Sequence, residues 1–255
     1  MRHAPAPPNS PAIFPLIAAD GILNAVGSVA ASNRTAYVAA GVKRVCSMIR
    51  EKDFTMWPDC NYAPWDREVS LYAAHFLVAA ERSGAELPSA AKKRVLGFLA
   101  TWALSPTNDV SAYACHTLAL AGCPEKDRML RLYDDRVHLS LQARARLARA
   151  FVKTGDPKRA AHLLANAAAP ASVKEAAFLT LALLELDPSD ARLNGLVAYL
   201  IAHRDNARFS WGTTETNAHA LLALGAYYRA FPPEKGRRFV CWRKLELPDL
   251  ASCTN

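Results

Sequence analysis

Residues 208–229 read RFSWGTTETNAHALLALGAYYR, an aromatic loop that passes through hydroxyl and acidic residues straight into an Ala/Leu-rich helix. A weaker copy occurs earlier, where DFTMWPD at 53–59 precedes REVSLYAAHFLVAAERSG at 67–84. In a chain whose other periodicity is helical, two such loop-into-helix units predict a closed ring of helical hairpins. Trp57 and Trp211 would plug the loops at the hairpin ends.

The helical stripes run the length of the chain. Val38, Val42, Val45, Cys46 and Ile49 recur at helical spacing, as do Val69, Tyr72, Ala73, Phe76, Leu77 and Ala80. Further stripes are Ala91 to Trp102, Val110 to Ala121 ending at Gly122, and Leu139 to Phe151. Three more are Ala160 to Ala167, Val173 to Leu184, and Leu193 to Ile201. With a first helix near 12–31 and a short one near 125–134, the pattern predicts eleven or twelve helices. Short connections make consecutive helices antiparallel neighbours. The segment 142–164, QARARLARAFVKTGDPKRAAHLL, is a helical hairpin turned at Gly-Asp-Pro, but its like does not repeat at the fixed period of a solenoid. RFVCWRKLEL at 238–247 alternates like a half-buried strand. The expected division is an unstructured segment at 1–11, an all-α domain at 12–232, and an extended linker or strand at 233–255 leading to a β-domain.

With 255 residues, about half of them apolar, the chain can bury a large core. The net charge of +8 is spread through every segment rather than gathered into a patch, which argues against nucleic acid as a partner. No run reaches the roughly 18 to 20 apolar residues of a membrane span, and MRHAPAPPNSPAIF has proline where a signal peptide needs an apolar stretch. The six cysteines lack CxxC pairs and zinc-type spacing, so no metal is expected. Cys46 and Cys115 read as buried apolar residues, Cys60 and Cys253 as exposed thiols.

Catalytic constellations are missing. No GxSxG, HExxH, P-loop or GxGxxG occurs. Asp134 and Asp135 are paired, but no DDxxD or DxDD spacing is present for diphosphate-metal or protonation chemistry. His75, His116 and His219 read as hydrogen-bonded packing residues on apolar helices. Thr213, Thr214, Glu215 and Thr216 have the residue types of a helix start, a hydroxyl cap and a first-turn acid, and also those of a polar site beside Trp211. No catalytic residue and no cofactor site is nominated. The structural or interface candidates are Trp57, Trp65, Trp211, Thr214, Glu215 and Asn217.

The chain resembles the thioester-type helical domain of the bacterial α2-macroglobulin family. The resemblance rests on FPLIAADGI at 14–22, DFTMWPD at 53–59, LYAAHFLVAAERSG at 71–84, SAYACHTLALAG at 111–122, LARAFVKTGD at 147–156 and WGTTETNAHALLALGAY at 211–227, in the family's order. It implies an α/α toroid, inner and outer helices in concentric rings. It also implies a non-enzymatic protease trap, with proteases as partners of the full-length protein, neighbouring β-domains in the same polypeptide, and a periplasmic or cell-surface location. The family's Cys-Leu-Glu-Gln thioester motif would lie just ahead of FPLIAA. Here that stretch reads APAPPNSPAI, with neither cysteine nor glutamine, so covalent capture by this chain is not expected. Two other readings use the same fold class: a toroid enzyme acting on an isoprenoid or glycan beside Trp57, Trp65 and Trp211, and an open helical scaffold with a concave binding face.

Overall fold

The computed structural model describes residues 14–17, 30–55, 67–205, 207–208 and 210–232. Beyond a helical turn at 14–17, the α-helices are α1 Ala30–Ser47, α2 Arg67–Arg82, α3 Ser89–Ala103, α4 Asn108–Leu120, α5 Lys126–Asp134, α6 Leu141–Lys153, α7 Pro157–Ala165, α8 Val173–Leu186, α9 Arg192–Ala202 and α10 Thr214–Ala230. A 3-10 turn at Arg136–His138 joins α5 to α6. No strand ladder forms among the described residues, only isolated antiparallel bridges at Ile49–Phe54 and Asp205–Ser210. Each bridge pinches the loop that enters one of the two aromatic loop-into-helix units. The strand expected at 238–247 lies outside the described residues, and so does most of the helix expected at 12–31.

Local chemistry sets the helix ends. Ser140, Ser172 and Thr213 each place a side-chain oxygen on the third backbone N–H of α6, α8 and α10, at 3.0, 3.2 and 3.2 Å. In the TGDP turn, Asp156 caps α7 through the N–H of Arg159 at 3.1 Å, and Pro157 takes the first helical position, where its missing N–H costs nothing. The preceding Gly155 adopts φ of 80°, the left-handed conformation that ends α6. Asp156 N–H then reaches back to Phe151 C=O at 2.9 Å, satisfying a carbonyl the helix leaves open.

The helices alternate between two layers. Helices α2, α4, α6, α8 and α10 pack successively on one another, and α3, α5, α7 and α9 cover them from outside. The inner helices are buried nearly all round, with Ala73, Ala74, Ala112, Ala114, Ala143, Ala148, Ala176, Ala177, Ala220 and Ala223 fully enclosed. Small side chains at these positions allow the helices to approach closely. Because each inner–outer–inner step reverses direction twice, the inner helices run parallel and start on the same face.

The ring is closed. Tyr72 of α2 meets His219 of α10 edge to face, with centroids 5.5 Å apart. Lys174 of α8 sets its Nζ 2.8 Å from Glu68 Oε1 of α2 and 2.8 Å from Glu215 Oε1 of α10. This is the α/α toroid expected from the sequence, and it replaces the open scaffold with separated ends. Phe14 packs on α2 from the start of the chain, 5.0 Å from Tyr72 and 4.7 Å from His75. Two smaller expectations need correction. Val69, placed on the apolar stripe of α2, is exposed on the first turn of that helix. Cys46 is only partly buried, whereas Cys115 is fully enclosed as expected.

Candidate functional site

The common face of the inner helices holds a cavity of about 450 Å³. Arg67, Glu68 and Leu71 of α2, Asp109, Val110 and Tyr113 of α4, Gln142 and Arg146 of α6, and Lys174 of α8 line it, with the capping positions Thr107 and Ser140. First-turn residues of four helices therefore surround one space. Their unbonded N–H groups and aligned dipoles make its potential positive.

Arg146 dominates the cavity wall. Its side chain is 2% exposed, and its Cζ lies over the rings of Tyr113 and Phe178, 3.9 and 4.3 Å from their centroids. Nε and Nη2 have no hydrogen-bond partner. The nearest carboxylate oxygen, Glu68 Oε1, is 4.0 Å from Nη2, outside hydrogen-bond reach. Burial pushes the guanidinium pKa down, opposed by the hydroxyl of Tyr113 and the carboxylate of Glu68. The aromatic rings offer a cation–π contact in place of the missing acceptor.

The two carboxylates of the cavity wall are already engaged. Glu68 accepts from Lys174, and Asp109 accepts from the hydroxyl of Ser140. Behind Lys174, burial of Glu215 opposes its ionisation, but hydrogen bonding to His219 and the ammonium of Lys174 outweigh that and hold the carboxyl at about 2. The His219 contact, 3.5 Å from Nε2 to Oε1, is too loose to satisfy either atom. The ammonium at 2.8 Å is the firmer support.

Below the cavity the ring core carries a line of polar groups. His75 Nδ1 pairs with the Tyr113 hydroxyl at 3.2 Å, and its ring stands 5.1 Å from that of His116. Both nitrogens of His116 lack a hydrogen bond, contrary to the bonded packing role expected for it. Burial is the leading cause that holds the pKa of both rings well below the ordinary value, with Arg149 next. Arg149 itself places Nε and Nη2 3.1 and 2.7 Å from Glu185 Oε1, and Lys153 joins the same carboxylate at 3.2 Å.

The candidate residues named from sequence divide between this site and the loop beside it. Trp57 and Trp65 lie outside the described residues. Trp211 is partly buried against the core and donates its indole N–H to Leu200 C=O at 2.6 Å. Asn217 Oδ1 accepts the Trp211 backbone N–H at 2.6 Å, so these two fix the loop to the start of α10. Thr214 is exposed in the first turn, and the cap is its neighbour Thr213. Glu215 belongs to the charge network behind the cavity. Arg146, Glu68, Lys174, Asp109 and Tyr113 were not singled out from sequence. One signal was available, an arginine on the same stripe as Ala143, Leu147 and Ala150 in α6. Among the described residues, no three His, Cys, Asp or Glu side chains are grouped to hold a metal ion, and no helix is long and apolar enough to cross a membrane.

No sequence-family model matches the chain, and no curated protein sequence matches it. Solved structures do. Native alpha-2-macroglobulin from Escherichia coli, spanning domain MG7 to the C-terminus, superimposes with a TM-score of 0.66 at 21% identity over 85% of this chain and 38% of that one. The trypsin-activated E. coli protein gives 0.71 at 20% identity over 88% of this chain and 17% of its own. A Salmonella alpha-2-macroglobulin mutant gives 0.70 at 21% identity, covering 85% and 16%. The chain thus spans between about a sixth and two fifths of the structures it matches. Its all-helical ring, reached independently from the hairpin pattern and from the coordinates, is the fold of a region of the bacterial alpha-2-macroglobulins.

Proposed function

We propose that this chain is the helical domain of a bacterial α2-macroglobulin-type protease inhibitor, one that holds its target without a covalent bond. The observation that carries the reading is the superposition of 85% or more of the chain on alpha-2-macroglobulins, one of them trypsin-activated, at TM-scores of 0.66 to 0.71. The absence of cysteine and glutamine ahead of Phe14 supports the non-covalent part, since a thioester needs both. Cys115 lacks the character of an acylated thiol, since it is enclosed on an inner helix and burial pushes its thiol up to about 12.

In this reading the toroid is a rigid body moved by the larger protein around it, and the chain has no inhibitory action by itself. Proteases are partners of the complete inhibitor, which would work in the periplasm or at the cell surface. The ion pair of Glu68 with Lys174 and the hydrogen bond of Asp109 with Ser140 give both carboxylates a structural role in the cavity wall. The experiment has two arms. The purified 255-residue chain, mixed with trypsin in equimolar amount, leaves tryptic activity unchanged and forms no SDS-stable adduct. Protein recovered from the native gene with an antibody to the chain is periplasmic or surface-bound and withholds trypsin from protein substrates. A cytoplasmic product that leaves trypsin untouched overturns the reading, and so does stoichiometric inhibition by the isolated chain.

A further inference from the structure

We propose that the cavity at the N-terminal face of the inner helices is a binding site for a small organic monocarboxylate, with Arg146 as its anchor. The proposal stands apart from the protease-trap reading.

A buried guanidinium without an acceptor is a costly arrangement. Removing an ion from water is repaid only when its donors are met, and Arg146 lines the cavity while its Nε and Nη2, buried just behind the surface, have no partner. Those two nitrogens form one edge of the guanidinium, the edge that takes a carboxylate through parallel hydrogen bonds. Arg149, one turn further along the same helix, shows the satisfied form of that edge on Glu185. Among the described residues no acceptor takes that place for Arg146, and Glu68 stands off at 4.0 Å because Lys174 holds it.

The charge of the cavity wall selects the ligand. Arg67, Arg146 and Lys174 are cationic, Glu68 and Asp109 are anionic, and Lys174 is already shared between Glu68 and Glu215, which leaves Arg146 as the buried cation with no carboxylate at hydrogen-bond distance. A single carboxylate meets it; a doubly charged phosphate stands against both Glu68 and Asp109. The helix starts around the cavity add four dipoles of the same sign. Leu71, Val110 and the ring of Tyr113 supply an apolar wall for the body of the acid. The volume of about 450 Å³ is that of a small-molecule site rather than a groove for a folded partner. The ligand's carboxylate meets the guanidinium, and rotation of the half-exposed Glu68 side chain away from Arg146 opens the Nε and Nη2 edge to it.

The test uses the full chain and propionate as the probe. Thermal unfolding is followed with rising sodium propionate, against propionamide and sodium chloride at matched ionic strength. Propionate raises Tm saturably, with half-saturation in the millimolar range, while propionamide and chloride do not. Arg146→Met weakens half-saturation at least tenfold, and Glu68→Gln, which removes a competing carboxylate, tightens it severalfold. These opposite shifts separate a charge-matched site from general stabilisation. Should Arg146→Met fail to fold, Arg146→Lys takes its place, with a loss of at least fivefold expected because an ammonium cannot form the paired contact. Equal shifts from propionate and propionamide overturn the proposal, as does a half-saturation that neither variant moves. Phosphate binding as tightly as propionate at pH 7.5 refutes the monoanion assignment.

Discussion

Mild acid should unfold this protein in a window where its carboxylates are still ionised. His75, His116 and His219 are 6%, 0% and 1% exposed. Burial is the first cause that lowers all three, with Arg149 and Arg146 adding to it at His75 and His116. At His219 the Glu215 carboxylate partly offsets burial and leaves the ring at about 4. Each folded ring therefore refuses a proton that the unfolded chain accepts near the ordinary 6.5. Stability is complete above that value and falls as pH drops below it, for His219 down to about 4. At pH 5 each ring held neutral costs about 2 kcal/mol relative to neutral pH, so three cost roughly 6 kcal/mol, comparable with the whole stability of a domain. Urea melts followed by circular dichroism at pH 7.5, 6.5, 6.0, 5.5 and 5.0 give the slope directly. Between pH 6 and 5 it should approach three protons, about 4 kcal/mol per pH unit. His116→Leu removes two unbonded ring nitrogens, so it should leave stability at pH 7.5 equal or higher and lower the slope by one proton. A slope below one proton in wild type, or an unchanged slope in His116→Leu, refutes the reasoning.

Other substitutions test the capping and charge networks. Ser172→Ala and Thr213→Ala each remove a cap from an inner helix and should cost about 1 kcal/mol in urea unfolding. Arg149→Met strands the Glu185 carboxylate beside Lys153 alone and should cost about 3 kcal/mol, most of it recovered in the double variant Arg149→Met with Glu185→Met. Lys174→Met takes away the firmest support of Glu215. In wild type the stability from that carboxylate is fully present above its ordinary value of 4.5 and disappears as pH falls through about 2. In the variant the folded carboxyl's pKa moves up toward 4.5, so this contribution shrinks and its loss is complete at higher pH, and an NMR titration of the Glu215 side chain reads the shift.

What could be read from sequence was local. The TGDP turn announces itself because Gly155, Asp156 and Pro157 each meet a separate demand of the chain reversal, within neighbouring residues. The start of α10 was legible for the same reason, though the cap proved to be Thr213 and Thr214 stands exposed beside it. The closed ring followed from the two aromatic loop-into-helix units in a chain of helical stripes joined by short loops. The cavity could not be seen this way, since Glu68, Asp109, Arg146 and Lys174 come from four helices and meet only when the ring shuts. Val69 fits the stripe of α2 by spacing, yet spacing does not tell where a helix emerges from its neighbours. His116 was expected to be bonded; no pattern along α4 reveals that the opposite wall offers it no acceptor.

The seam between α2 and α10 gives the molecule a weak direction in time. Hairpin contacts such as those across the TGDP turn join residues close in sequence and form at little entropic cost. The grip of Lys174 on Glu68 spans 106 residues, and the meeting of Tyr72 with His219 spans more. Contacts of such separation are the slow ones to establish. The hairpins should therefore line up first and the seam should zip last, so interactions at the seam are absent from the folding barrier and act on the unfolding rate. Among the described side chains of the seam, Lys174 is placed to set how long the ring, once closed, stays closed.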